Sequence, residues 1–205
     1  MLFYKLIRQN PFLNRWVIRI LRIVIRIFRF FIPAPKSYNK NVVIIAVHRL
    51  GDAIFTIPAI EKLIHHYKQN FNLFLVCMKN TIPIYQLKLE GIEYLGVDSK
   101  DFFYNSRISK GRIRKLLSGL RPEIIFDLTG NFTSASILIR TKANKITGLN
   151  DEYYSTIYTH YSKIRAEPYY IYNYLDAIQP LVESNYIYSG VKAESEGKYI
   201  LIHPF

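Results

Sequence analysis

A polar segment at residues 48–52, HRLGD, stands between an apolar run and a stretch with helical spacing. The run at residues 42–47 is β-branched and lacks polar alternation, which predicts a strand covered on both faces of a parallel sheet. Ligands collect at the carboxyl ends of such strands, where loops and helix N-termini face a crevice. We therefore expect a ligand to be contacted by four residues of the segment: His48, Arg49, Gly51 and Asp52.

Asp52 has the clearest chemistry in this segment, because a carboxylate at the mouth of a helix can accept a proton. The plainer interpretation is a helix N-cap, since Asp before an apolar-periodic run is a very frequent cap. Spacing alone leaves the base and the cap open. The neighbouring Gly51 predicts a tight turn and a close approach of the backbone to a ligand.

A second polar segment, DLTGNFTSA at residues 127–135, repeats the order of strand end, glycine and helix start. By the same geometry its loop should face the same crevice as HRLGD. Asp127, Gly130 and Asn131 are therefore candidate ligand contacts. For Asp127 and Asn131, turn and cap chemistry is the alternative.

The two segments resemble the signatures of glycosyltransferase family 9, the lipopolysaccharide heptosyltransferases. The first signature, R-x(n)-G-D-x5-P, is matched by Arg49, Gly51, Asp52 and Pro58, with a shorter spacer after the Arg. The second, D-L-x-G-x-x-R-S-A, is matched by residues 127–135 except at Thr133. The missing Arg removes a planar clamp for phosphate or carboxylate.

This resemblance implies an inverting sugar transfer with Asp52 as the base and without a metal or cofactor. The acceptor would be an anionic lipid-linked saccharide, such as the lipopolysaccharide core, at the cytoplasmic face of the inner membrane. The donor would be a nucleotide-sugar, with ADP-heptose as one candidate. Together with their position at the strand ends, the resemblance predicts acceptor contacts by His48, Arg49, Gly51, Asp127, Gly130 and Asn131. His160 is a further candidate for an acceptor contact.

The resemblance covers about residues 41–205, which correspond to the N-terminal, acceptor-side half of a GT-B enzyme. An apolar strand expected at residues 199–205 would begin the donor-side domain, with His203 as a donor contact. We therefore expect the chain to be truncated, or a separate polypeptide to supply the donor side. No Asp-x-Asp pair and no His/Cys cluster is present to hold a metal.

The positive charge of the chain, +13 overall, is concentrated in residues 1–40, which hold nine basic side chains and no acidic one. Six arginines recur there at helical spacing and share one stripe, and the other faces are apolar. These arginines are Arg8, Arg15, Arg19, Arg22, Arg26 and Arg29. The pattern predicts a basic amphipathic helix within residues 1–36, ended by Pro33 and Pro35.

This helix is expected to lie at the surface of the membrane, with its apolar side under the headgroups and its arginines on anionic lipid. A transmembrane span is disfavoured, because each arginine costs roughly 2.5 kcal/mol or more at the bilayer centre. The alternatives are a helix docked on a missing domain and a nucleic-acid-binding arm. The high apolar share argues against the arm, and no nucleic-acid partner is expected.

The rest of the chain alternates between strand and helix patterns. Strands are predicted at residues 72–78, 92–97, 123–128 and 145–148, and helices at residues 81–89, 109–120, 134–140 and 169–180. The pattern predicts an α/β fold, a three-layer Rossmann-like parallel sheet over residues 37–190, followed by a linker and strand at residues 191–205. Strands 42–47 and 123–128 should be parallel neighbours.

Two other functions compete with sugar transfer. A non-catalytic, membrane-associated half-domain that binds the acceptor or acts as a scaffold would fit a chain without a donor side. A generic Rossmann nucleotide binder is disfavoured, since neither G-x-G-x-x-G nor G-x4-G-K-[ST] occurs. The single cysteine, Cys77, excludes an intramolecular disulfide and fits a reducing cytoplasm.

Overall fold

A computed structural model describes residues 10–99, 107–150, 155–163 and 170–182. The predicted linker and strand at residues 191–205, with His203, lie outside these ranges. The helices are α1 (Pro11–Phe30), α2 (Leu50–Tyr67), α3 (Ile82–Gln86, after a 3-10 turn at Lys79–Thr81), α4 (Arg107–Leu120), α5 (Phe132–Leu138) and α6 (Tyr170–Ile178). The strands are β1 (Asn39–Ala46), β2 (Asn72–Met78), β3 (Glu93–Val97), β4 (Pro122–Asp127), β5 (Lys145–Asn150) and β6 (His160–Lys163).

The six strands form one parallel sheet in the order β3-β2-β1-β4-β5-β6. Strand β1 is paired on both sides, and Val43 lies opposite Phe74 of β2 and Ile125 of β4. The predicted parallel pairing of residues 42–47 with 123–128 is confirmed. Strand β6 was not predicted, because it is only four residues long and mostly polar, HYSK. It also lies in a tyrosine-rich stretch.

Alternate residues of β1 face two different hydrophobic layers, as a strand covered on both faces requires. Val42 and Ile44 belong to the layer under α2, α3 and α6. Val43 and Ile45 belong to the opposite layer, which includes residues of α1, α4 and α5. The three-layer α/β arrangement predicted from the sequence is therefore confirmed.

Helix α1 packs on the second of these layers. It begins at Pro11 behind an Asn10 cap, whose side-chain oxygen accepts from the N–H groups of Phe12 and Leu13. Ile25 is buried in the core cluster. Helix α1 therefore docks on the chain's own α/β domain, whereas the alternative considered from the sequence was a missing domain.

Polar contacts fix the C-terminal end of α1 to the segment after α5. The guanidinium of Arg29 donates to the carbonyls of Leu138 and Thr141, at 2.8 and 3.4 Å. In return, the ammonium of Lys142 donates to the carbonyl of Arg29 at 2.7 Å. The end of α1 is therefore held at the amino edge of the sheet, just before β5 begins.

The face of α1 opposite the domain is apolar and exposed. It carries Phe12, Trp16, Ile20, Ile23, Ile27 and Phe30. The exposed arginines Arg15, Arg19 and Arg26 run along one flank, between this face and the docked face. No helix within the described ranges combines the length and the apolar character needed to cross a membrane.

Candidate functional site

The loops after β1 and β4 meet at the carboxyl edge of the sheet, as predicted. The N–H of Val47 donates to the hydroxyl of Thr129 at 2.9 Å, and that hydroxyl donates to the carbonyl of Ile45 at 3.2 Å. The N–H of Leu128 also donates to Ile45, at 2.9 Å. Thr129 therefore joins the HRLGD segment to the DLTGN segment.

His48 lies at this junction and is almost fully buried. Its Nε2 is 3.1 Å from the carbonyl oxygen of Leu128, and its ring makes an edge contact with Tyr174 at 5.3 Å between centroids. Since a carbonyl only accepts, Nε2 carries the proton and Nδ1 is left with a lone pair. Burial lowers the pKa of His48, although the Leu128 hydrogen bond and the charge of Asp52 oppose this shift. The imidazole is therefore neutral at pH 7.

Asp52 is the third residue of α2 and is exposed. The N-cap position belongs to Arg49, which makes no side-chain cap hydrogen bond. The cap interpretation of Asp52 is therefore wrong, and its carboxylate accepts no hydrogen bond within the described ranges. It lies in the first turn of α2, where the positive end of the helix dipole favours a negative charge by about 0.3–1 kcal/mol.

Gly51 does not form the tight turn that was predicted. It is the second residue of α2, without a positive φ, and a Cβ added there would meet no atom within 4 Å. The loop between β1 and α2 is only residues 47–49, because the helix starts earlier than the apolar spacing indicated. Any role of Gly51 in ligand approach remains a prediction, as do the acceptor contacts of Arg49.

Asp127 is fully buried at the end of β4 and satisfies groups of the fold. Its Oδ1 accepts from the N–H groups of Thr129 and Gly130 at 3.0 and 3.1 Å, and its Oδ2 accepts from the hydroxyl of Tyr158 at 2.6 Å. Burial raises the pKa of this carboxyl, and these hydrogen bonds oppose the shift. The geometry favours turn chemistry, the alternative considered for Asp127.

Asn131 caps α5. Its side-chain oxygen accepts from the N–H groups of Thr133 and Ser134, and the hydroxyl of Ser134 accepts from the N–H of Asn131 at 3.1 Å. Gly130 precedes it with φ of 56°, and a Cβ there would lie 2.9 Å from the carbonyl oxygen of Leu149. Glycine is required at this position by backbone conformation and by space.

His160 lies apart from this junction. It begins β6, is exposed, and has its Nδ1 3.0 Å from the hydroxyl of Thr159. Among the described residues, no group of three or more His, Cys, Asp or Glu side chains is arranged to hold a metal ion.

The sequence did not identify three tyrosines that shape the carboxyl edge. Tyr174 of α6 is buried beside His48, and burial, then the charge of Asp52, raises its pKa. Tyr170 is exposed and stacks on Phe55 of α2, with centroids 6.0 Å apart. Tyr158 binds Asp127. The position of Tyr174 beside His48 depends on where α6 crosses the sheet, which the spacing of residues within the helix does not show.

An exposed aromatic pair lies close to Asp52 along α2. Phe55 follows Asp52 by three residues, on the same side of the helix, and Tyr170 extends this surface through its stack with Phe55. A carboxylate next to an aromatic surface suits a ligand with both hydroxyl groups and apolar ring faces, because tyrosine presents an apolar body with a polar tip. A sugar is such a ligand.

Comparison with known proteins gives matches in solved structures alone. No protein-family model and no curated protein matches the sequence. A family 9 glycosyl transferase from Veillonella parvula superposes with a TM-score of 0.60 at 18% identity, over 75% of this chain and 44% of that one. The heptosyltransferase WaaC from E. coli with ADP gives 0.53 at 13% identity, over 68% and 47%.

WaaC in complex with ADP-2-deoxy-2-fluoro heptose gives a similar TM-score, 0.52 at 13% identity. The chain therefore spans under half the length of each of these structures. At such low identity the similarity establishes the fold. The chain thus has a Rossmann-like α/β fold that resembles a part of family 9 glycosyltransferases, in agreement with the resemblance of its two signatures.

Proposed function

We propose that this chain is the acceptor-side part of an inverting glycosyltransferase that uses a nucleotide-sugar donor and acts on an anionic lipid-linked saccharide. The observation that carries the proposal is Asp52, an exposed carboxylate at the N-terminus of α2 and at the carboxyl end of the central strand β1. The structural similarity to family 9 enzymes supports the same reaction class.

In this proposal Asp52 accepts the proton of an acceptor hydroxyl. The hydroxyl oxygen then forms a bond to the anomeric carbon of the donor sugar, on the face opposite the bond that breaks to the nucleoside diphosphate. Proton transfer to a positioned carboxylate contributes typically about 10²- to 10⁴-fold in rate. The negative charge of the leaving group would be met by groups of a donor-side domain, with ADP-heptose as one candidate donor.

His48 and Tyr174 would position the acceptor side of this site rather than take the proton. Both are buried, and the charge of Asp52 acts to raise the pKa of both. A neutral imidazole leaves Asp52 as the exposed charged acceptor at the start of α2. The stacked pair Phe55 and Tyr170 would supply the apolar ring surface on which a sugar can lie.

Membrane attachment belongs to the same proposal. An acceptor anchored in the bilayer stays at the membrane surface, and α1 offers an exposed apolar face with arginines along its flank. Such a helix lies in the headgroup region with its apolar side inward. The protein would accordingly act as a peripheral protein on the cytoplasmic side of the membrane.

The test uses residues 1–205 joined to a donor-side domain, with transfer from ADP-heptose to the lipopolysaccharide core as the readout. Asp52→Asn should reduce turnover by at least about a hundredfold, because the amide cannot accept the proton. The matched control is Glu61→Gln, an exposed carboxylate later in α2, which should retain full activity. Near-full activity of Asp52→Asn would exclude Asp52 as the base.

A further inference from the structure

A basic cavity lies at the amino edge of the sheet, on the opposite side from the candidate site. Its volume is about 250 Å³, several times the roughly 30 Å³ that a water molecule occupies in the liquid. The wall is formed by the segment after α1, the inner side of α4 and the segment after α5. The lining residues include Ile32, Pro33, Arg114, Arg121, Arg140 and Lys142.

Four cations line this cavity and no carboxylate does. Within the described parts of the chain, none of the four forms an ion pair. Arg114 and Lys142 are half-buried, and each has another cation as an electrostatic neighbour. Desolvation, then the charge of Arg140, lowers the pKa of Arg114. Desolvation, then the charge of Arg29, lowers the pKa of Lys142.

One donor in the wall is left without an acceptor. The Nη2 of Arg114 donates to the carbonyl of Ser136 at 2.9 Å, whereas its Nε is buried and has no hydrogen-bond partner among the described residues. This buried Nε adds to the positive charge behind the wall. An anion in the cavity would offset the repulsion among the four cations.

The planar guanidinium matches the oxygens of a phosphate group in a bidentate manner, and three of the four cations are arginines. The surroundings favour a lipid phosphate over a free one. Ile32 lines the cavity, and the two residues before it, Phe30 and Phe31, are 81% and 76% exposed. These side chains continue the exposed apolar face of α1. Apolar and cationic groups are therefore adjacent at this end of the helix, which matches the apolar chains and charged headgroup of a phospholipid.

We propose that this cavity binds the phosphate of an anionic phospholipid headgroup. The inference goes beyond the proposed sugar transfer and shares with it the membrane-facing position of α1. The cavity would fix the C-terminal end of α1 to one lipid, whereas the arginines on its flank respond to surface charge in general.

The experiment measures co-sedimentation of the whole chain with two kinds of vesicle that carry equal surface charge. One contains phosphatidylcholine with phosphatidic acid, and the other contains phosphatidylcholine with oleic acid. The cavity variant is Arg121→Asn with Arg140→Gln, because both side chains are exposed and asparagine tolerates the positive φ of 44° at position 121. The control, Arg112→Gln with Lys115→Gln, removes the same charge from the exposed side of α4.

The unmodified chain should prefer phosphatidic acid over oleic acid by about tenfold, the difference expected for charge-assisted hydrogen bonds. The cavity variant should lose this preference and the control should keep it, with melting temperatures showing that both are folded. The guanidinium of Arg140 also lies 5.4 Å from the ring of Phe28 in α1, so its loss could affect the position of that helix. Arg121→Asn alone lacks this effect and should also reduce the preference.

Two results would overturn the proposal. Equal preference in the cavity variant and the control would show that the cavity does not contact lipid. Absence of a preference for phosphatidic acid in the unmodified chain, together with inorganic phosphate raising the melting temperature of the unmodified chain but not that of the cavity variant, would assign the cavity to free phosphate. Neither readout requires sugar transfer, so a negative transferase assay would not affect this result.

Discussion

The hydroxyl of Tyr158 donates a 2.6 Å hydrogen bond to Oδ2 of Asp127, a carboxylate with no exposed surface. The other carboxylate oxygen holds the N–H groups of Thr129 and Gly130. Asp127 therefore ties the end of β4 to its own loop and to the segment before β6. The signature residue that resembles an acceptor contact has a structural role in this fold.

The first prediction concerns this network. Tyr158→Phe should lower the free energy of unfolding by about 1–3 kcal/mol, because it removes the donor and leaves a buried carboxylate oxygen unpaired. Asp127→Ala should cost more, since the N–H of Gly130 and the hydroxyl of Tyr158 also lose this acceptor and the N–H of Thr129 keeps only the carbonyl of Ile45. Urea denaturation of the two variants and the unmodified chain checks the order. A larger loss in Tyr158→Phe than in Asp127→Ala would contradict it.

The second prediction is the pH dependence of Asp127→Asn. Burial raises the pKa of Asp127 in the folded chain above its ordinary value, so the folded state binds the proton more tightly than the unfolded state. The stability of the unmodified chain relative to Asp127→Asn must then fall as pH rises through the raised pKa. Urea titrations at a series of pH values measure this difference. A gap that stays constant from acid to neutral pH would argue against the shift.

The third prediction concerns His48, whose shift has the opposite consequence. Burial lowers its pKa below the ordinary value of 6.5, so the unfolded state binds the proton more readily. The contribution of His48 to stability is full above about pH 6.5 and is lost as pH falls towards the lowered pKa. His48→Gln keeps a donor for Leu128 and should flatten this decline. The control, His65→Gln on the exposed side of α2, should leave it unchanged.

The fourth prediction separates the two glycines of the candidate site. Gly130→Ala should destabilise the fold by more than about 1 kcal/mol, because a left-handed φ is strained for alanine and its Cβ would meet the Leu149 carbonyl. Gly51→Ala should be neutral or stabilise by up to about 1 kcal/mol, since alanine favours a helix and the space is open. Thermal melts of both variants distinguish these outcomes.

The sheet could be predicted because its strands are buried on both faces. Residues 42–47 and 123–128 read as apolar runs, and βα alternation then requires parallel pairing. Strand β6 lacks such a run, and its pairing with β5 comes from tertiary context. The start of α2 was missed because Gly51 and Pro58 both disfavour a helix interior, yet the helix continues through them.

The sequence predicted where the candidate site lies better than it predicted the role of each residue in it. Strand order brings residues 48–52 and 127–131 to one edge, and motif spacing identifies both segments. Whether a side chain is exposed, as in Asp52, or buried, as in Asp127, depends on which groups cover it. Tyr158 covers Asp127, and Tyr174 covers His48. Both tyrosines come from the tyrosine-rich stretch, where the spacing of residues does not identify their partners.

The fifth prediction concerns α1 and has two parts, of which the first tests whether its two apolar sides have different functions. Ile25 is buried against the domain and Ile23 is 59% exposed on the far side. Ile25→Ala should lower the free energy of unfolding by about 2–5 kcal/mol, whereas Ile23→Ser should leave it nearly unchanged. Ile23→Ser should instead weaken binding to anionic vesicles, because it removes apolar area that enters the headgroup layer.

The contribution of the arginine flank of α1 to vesicle binding should weaken with salt, whereas the contribution of the apolar face should not. Changing Arg15, Arg19 and Arg26 to Glu should release the protein from phosphatidylglycerol vesicles, since each arginine near an anionic surface contributes about 1 kcal/mol. Binding of the unmodified chain should weaken as ionic strength rises, because exposed charges are screened over about 10 Å at 0.1 M salt. Equal vesicle binding by the triple variant and the unmodified chain would exclude the arginine flank as a membrane contact. Unchanged binding by Ile23→Ser would exclude the apolar face.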